Sequence, residues 1–224
     1  MSTIPYVGGM PATEIVSSGP WYSGVNNPGP TSLDITNVPL GPAAADRHVF
    51  FVLAGLVGGG LTSATIGGAA ATLHVNRQPF GGVITYWHAI GSALLPTGSI
   101  TTIGLTFPTT GLKNFTLWPF SVYKLRSITP FNINGQDDIS TTTALNSSIN
   151  TARGGLIIGG GTCSTSSAPI TSSTVANVNE YQHDADHDFA FWGADVASGT
   201  PLPMTFTRGG TTGAYYSASL LSFR

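Results

Sequence analysis

His48-Val49-Phe50-Phe51-Val52-Leu53-Ala54-Gly55-Leu56-Val57 runs almost without a polar side chain into Gly58-Gly59-Gly60-Leu61-Thr62-Ser63. The run is rich in β-branched and aromatic residues and is bounded by glycines, so it reads as a strand. Its lack of polar alternation places it where both faces are covered. About 100 residues later the pattern returns as Gly155-Leu156-Ile157-Ile158 followed by Gly159-Gly160-Gly161-Thr162-Cys163-Ser164. The downstream segments also correspond. Tyr86-Trp87-His88-Ala89, Ser99 to Phe107 and Leu117 to Tyr123 are echoed by Phe191-Trp192-Gly193-Ala194, Leu202 to Thr207 and Tyr215 to Leu221. A chain that repeats its strand order in this way specifies an all-β, antiparallel two-sheet sandwich built from two similar halves, residues 46–125 and 153–224. Both glycine triplets read as turns. Val49, Phe51, Leu53, Ile157, Phe191, Phe206 and Leu220, from corresponding strands, are expected to share one interior.

The intervening stretch 126–152 contains Pro130, Asn132, Asn134, Gly135 and Asp137-Asp138 and reads as an irregular crossover. Strand signals begin near Thr31, with the alternation of Ser32-Leu33-Asp34-Ile35-Thr36-Asn37-Val38, so the sandwich domain spans 31–224. Thr65 to Val75 reads as a hairpin turning at Gly67-Gly68, where adjacent glycines can adopt positive φ. Residues 1–30 carry Pro5, Pro11, Pro20, Pro28 and Pro30 and read as an extended Gly/Pro-rich arm. Tyr6, Trp21 and Tyr22 give that arm bulky groups with no periodicity to bury them locally, which marks them as assembly contacts.

Composition excludes several functions. Charged residues make up 8% of the 224-residue chain and the net charge is -2, so no basic field exists to attract nucleic acid. A surface covered by hydroxyls and small residues suits a protein packed among copies of itself or other subunits. The N-terminus Met1-Ser2-Thr3-Ile4-Pro5-Tyr6 lacks the basic and apolar regions of a signal peptide. No window approaches the roughly 18 apolar residues that span a bilayer. Cys163 is the only cysteine and reads as a free buried thiol.

The residues resemble a known group at this point. An Arg before an apolar strand (Arg47 to Leu53) is followed by a Thr-Ile-Gly-Gly-Ala-Ala-Ala-Thr hairpin (within Ala64 to Thr72) and an aromatic-Trp strand. A Pro-Thr-Gly turn then precedes a Thr-rich strand, and the chain ends in Ser219-Leu220-Leu221-Ser222-Phe223-Arg224. This combination resembles small β-sandwich virion proteins of tailed bacteriophages, over residues 46–125 and more loosely 153–224. The resemblance implies a jelly-roll-like, non-enzymatic virion component, either a head decoration or a tail accessory protein, made in the host cytoplasm. It brings no catalytic residues. The partners it implies are other capsid or tail subunits, and the charge-poor β surface and the arm together lead to the expectation of several copies in a symmetric group such as a trimer.

His183-Asp184-Ala185-Asp186-His187-Asp188 is the densest group of metal-competent side chains. Its flanks read as strands, which makes it a hairpin loop. The plain reading is a polar cap between apolar strands. The alternative is calcium held by Asp184, Asp186 and Asp188, since carboxylate oxygens suit that ion better than two imidazoles do. No other cofactor is implied. Gly-x-Ser-x-Gly is absent, and neither glycine triplet leads into the Lys-Ser/Thr of a phosphate-binding loop. His74 and His88 read as core or sheet-surface histidines. The alternative function is a glycan- or receptor-binding module of a phage fibre or tail tip, recognising a host surface glycan through aligned Trp rings. Buried Trp21, Trp87, Trp118 and Trp192 would favour the scaffold instead.

Overall fold

The computed structural model describes residues 13–17, 22–25, 31–57, 60–78, 85–108, 114–140, 144–163, 170–173, 179–183, 188–196, 201–208 and 214–224. Among them all regular structure is β and the sheets are antiparallel, with no helix. Strands β1 (Glu14–Ser17), β2 (Tyr22–Val25), β3 (Ser32–Pro39), β4 (His48–Val57), β5 (Ser63–Ile66), β6 (Ala69–Ala70), β7 (Thr72–Arg77), β8 (Thr85–Leu94), β9 (Ile100–Thr106) and β10 (Asn114–Tyr123) form two sheets. One has the order β1-β10-β4-β8-β7, with β2 also on β10, and the other the order β3-β9-β5-β6. Strands β11 (Asn132–Ser140), β12 (Ala144–Ile149), β13 (Gly155–Cys163), β14 (Ile170–Ser173), β15 (Asn179–His183), β16 (Asp188–Val196), β17 (Leu202–Arg208) and β18 (Ala214–Phe223) follow. Their sheets are β11-β18-β13-β16-β15 and β12-β17-β14.

The two sets share one connectivity. Substituting β11 for β1 and β2, β12 for β3, β13 for β4, β14 for β5, β15 for β7, β16 for β8, β17 for β9 and β18 for β10 converts one pair of sheets into the other, except that β6 has no counterpart among the described residues. The halves expected at 46–125 and 153–224 each lack their first strands. Residues 126–152 are not an irregular crossover, because they contain β11 and β12. Likewise strands begin before Thr31: β1 pairs with Phe120 to Tyr123 and β2 with Asn114 to Leu117, both on β10. The physical reason is position. β1, β2 and β11 are outer strands with a single neighbour, and such strands carry polar residues, Gly and charge that blur the alternation.

Strand β4 is buried on both sides, as its composition demands. Val49, Phe51 and Leu53 meet Ile35 and Val38 of β3, Ile66 of β5, and Ile103 and Leu105 of β9. The alternate residues Phe50, Val52 and Ala54 meet Leu156, Ile158, Ala190, Leu221 and Phe223 from the second repeat. The β4 sheet is thus covered by the β9 sheet on one face and by the β13 sheet on the other. Ile157, Phe191 and Leu220 are fully buried, but they alternate with residues that face the β4 sheet, so they point to the opposite side. The single shared interior is therefore corrected. The repeats meet back to back through Phe50, Val52, Leu156, Ile158, Leu221 and Phe223, while Val49, Phe51 and Leu53 belong to the first repeat's own core.

Gly67 and Gly68 carry φ of +60° and +82° between the paired Ile66 and Ala69, the two-residue turn that their sequence predicts. Gly159-Gly160-Gly161 do not turn at all. They lie within β13, paired with Phe191, Ala190 and Phe189 of β16. A Cβ on Gly159 would sit 1.9 Å from Cζ of Phe191, so the far end of the ring occupies the space above the glycine. The first repeat uses the same device with the partners exchanged: Phe51 on β4 covers Gly91 on β8, where a Cβ would come within 2.6 Å of the ring.

Candidate functional site

Several polar side chains hold strands together. On β8, Trp87 and Ala89 enter the first repeat's core, so His88 alternates into the seam between repeats. It is fully buried, with Nε2 2.7 Å from Ser219 Oγ and Nδ1 3.3 Å from Ser217 Oγ, both on β18. Burial, reinforced by the Arg77 guanidinium, lowers its pKa to about 3, so the ring is neutral and each nitrogen can serve in one hydrogen bond. His74 lies in the same seam, stacked on Phe50, edge-on to Phe223 and 2.7 Å from Ser92 Oγ. Its partial burial lowers its pKa to about 4. Asn76 Oδ1 accepts from Trp87 Nε1 at 2.8 Å and from the Leu61 amide.

The expected site residues are not gathered into one place. His183 ends β15 and pairs with Asp188 at the start of β16. Asp184 and Asp186 lie outside the described residues, and among those described no three His, Cys, Asp or Glu side chains stand together to hold a metal. Tyr6 and Trp21 also lie outside them, and Tyr22 opens β2 opposite Leu117. Trp87 and Trp118 are fully buried, and Trp192 packs on Phe120 at the edge of the seam core, ring centroids 4.9 Å apart. These three do not form an exposed row.

The concave feature that sequence reading missed is a cleft of about 320 Å3 lined by Glu14, Val16, Pro42, Ala44, Asp46, Tyr123 and Lys124. It forms where β1, the segment before β4 and the end of β10 converge. That segment is held from several sides. Gly41 donates its N–H to Ser121 Oγ at 3.0 Å, and its carbonyl accepts from Nη1 of the buried Arg47 at 2.6 Å. Arg47 Nε donates to Leu95 O at 2.8 Å, and Nη2 donates to Thr97 O. Tyr123 donates its hydroxyl to Pro42 O at 2.8 Å, and the Lys124 N–H donates to Asp46 Oδ2 at 2.8 Å. Lys124 itself has φ +59°, a left-handed conformation rarely taken by a residue with a side chain, and its Nζ is ion-paired to Glu14. A strained backbone, a pinned loop and exposed carboxylates beside apolar walls give the cleft the features of a preformed binding site. In the sequence these groups are separated by long stretches, with no local pattern that joins them.

No protein-family profile, curated protein or solved structure matches this chain.

Proposed function

We propose that the protein is a non-enzymatic structural component of a bacteriophage virion, a capsid decoration or tail accessory subunit present in several copies. On this reading each repeat is a jelly-roll-like sandwich, and the two are fused back to back into one rigid block. The observation that carries the reading is how the interior is used. Among the described residues the buried His88 and Arg47, the half-buried His74 and the exposed Asn76 are all committed to hydrogen bonds that fix strands and loops. The charge-poor, hydroxyl-rich exterior supports packing among other subunits. The burial of Trp87 and Trp118 supports a scaffold over a host-glycan-binding module, because rings that stack on sugars must be exposed.

The arm's role narrows on this reading. Residues 14–17 and 22–25 belong to the β4 sheet, so docking to a neighbouring subunit, in a trimer or on the particle surface, falls to the residues before Thr13, which include Tyr6. Immunogold labelling and quantitative mass spectrometry of purified phage particles test the proposal. The expected result is many copies per particle, with a chain lacking residues 1–12 folded but absent from the particle. Full occupancy by the truncated chain would remove the docking role. Cleavage of a polysaccharide by the purified protein, or its absence from particles, would overturn the structural assignment.

A further inference from the structure

We propose that the cleft between β1, residues 42–46 and the end of β10 is a docking site for a basic side chain, arginine above lysine, presented by an extended segment of another polypeptide. Its charge argues for a cation. Its lining side chains include two carboxylates, Glu14 and Asp46, and one ammonium, Lys124, a net charge of -1 on the cleft wall, while the buried Arg47 behind the wall spends its guanidinium on the carbonyls of Gly41, Leu95 and Thr97. Asp46 is exposed and is committed at Oδ2 to the Lys124 amide, and an ionised carboxylate retains acceptor capacity beyond one such bond. A guanidinium can take that capacity in a two-pronged geometry that an ammonium cannot match.

The walls argue for an apolar stem behind the charge. Val16, Pro42, Ala44 and the ring of Tyr123 line the cleft, and Val16 is 41% exposed although it is a large apolar residue on a strand. The methylenes of arginine or lysine cover such walls while the head group stays polar. The size argues for one side chain. About 320 Å3 lies at the small end of ligand pockets, enough for a single residue and too little for a stretch of oligosaccharide. β1 is the terminal strand in the order of its sheet, so an extended segment can run beside it and deliver the side chain. The hydrogen bonds that pin residues 41–47 reduce the ordering cost of binding. The inference stands on the cleft alone and does not need the virion assignment.

The test is titration of the full-length protein, followed by amide NMR, with acetyl-Val-Arg-Val-amide and with the same peptide carrying neutral citrulline. The arginine peptide is expected to shift the Asp46 and Lys124 amides saturably at low salt, at least tenfold more tightly than the citrulline peptide. Asp46→Asn keeps an oxygen for the Lys124 amide but removes the charge, and should weaken binding at least tenfold. Ala44→Trp fills the cleft without touching a charge and should abolish it, with amides of the two cores unmoved as the check on folding. Equal binding of the citrulline peptide, unaltered binding to Asp46→Asn or Ala44→Trp, or shifts mapping away from the cleft would overturn the site. Free arginine binding as tightly as the tripeptide would overturn the polypeptide as its source.

Discussion

Replacing Gly159 with alanine tests the packing logic at its tightest point. An added Cβ would lie 1.9 Å from Cζ of Phe191 and 2.5 and 2.6 Å from the flanking ring carbons. Ordinary contact begins near 3.4 Å, so the ring must retreat by about 1.5 Å. Phe191 is fully buried, so its ring can retreat only by displacing packed neighbours. Overpacking of this kind costs about 1–3 kcal/mol, set against about 0.5–1 kcal/mol that alanine gains over glycine in a strand. Gly159→Ala should therefore lower stability by up to about 2.5 kcal/mol in urea unfolding at neutral pH, with an unchanged slope. Shortening the ring by Phe191→Leu costs stability by leaving a cavity, but in that background the added methyl has room. The double variant should be more stable than the sum of the singles predicts, by about 1 kcal/mol or more. Additivity within about 0.5 kcal/mol would refute the claim that the glycine exists to seat the ring. A glycine needed for a turn would show its cost whatever stood at Phe191.

Acid should loosen the seam between the repeats. The pKa values of His88 and His74 are lowered to about 3 and about 4, so above pH 6.5 both folded and unfolded chains hold them neutral and no dependence arises. Below that the unfolded chain binds protons first, and stability falls until the folded pKa is passed. His88 alone should remove about 2 kcal/mol between pH 7 and pH 5, at about 1.4 kcal/mol per pH unit. A urea midpoint constant over that range, or a pH slope unaltered in His88→Gln, would contradict the assignment. For the loop after β15, changing Asp184, Asp186 and Asp188 to Asn should alter stability by no more than roughly 0.5 kcal/mol, with a melting temperature indifferent to millimolar calcium. A calcium-dependent rise that disappears in the triple variant would make the loop a metal site.

The parts of the fold legible in the sequence were those whose environment leaves a one-dimensional trace. β4 reads as doubly covered because residues 49–54 are buried without exception, and the Gly67-Gly68 turn reads correctly because positive φ at both positions demands glycine. β11 leaves no such trace. Asn132, Asn134 and Gly135 contribute little burial, and Ile133 is 53% exposed on an outer strand. The glycines at 159–161 carry the letters of a turn, and only the partner strand with Phe191 explains why they sit in a sheet. The cleft was illegible for a related reason. Glu14, Asp46 and Lys124 meet only because β1 and β4 flank the same strand, β10.

The seam between the repeats shows why polar residues persist in an interior otherwise built of Phe, Val, Ile and Leu. Two flat apolar faces, each from an independently paired sheet, would bury similar area in several relative positions, because hydrophobic contact is non-directional. His88 removes that freedom. Its two nitrogens address Ser219 and Ser217, alternate residues on one face of β18. A slide of one residue along the strand would present Ala218 or Leu220 instead, leaving a fully buried imidazole without partners, at about 1–3 kcal/mol for each unmade hydrogen bond. His74 adds a second constraint, with its ring held between Phe50 of the first repeat and Phe223 of the second. The apolar residues thus supply the driving force for fusing the repeats. The neutral histidines select the alignment of the two faces in which His88 keeps both of its partners.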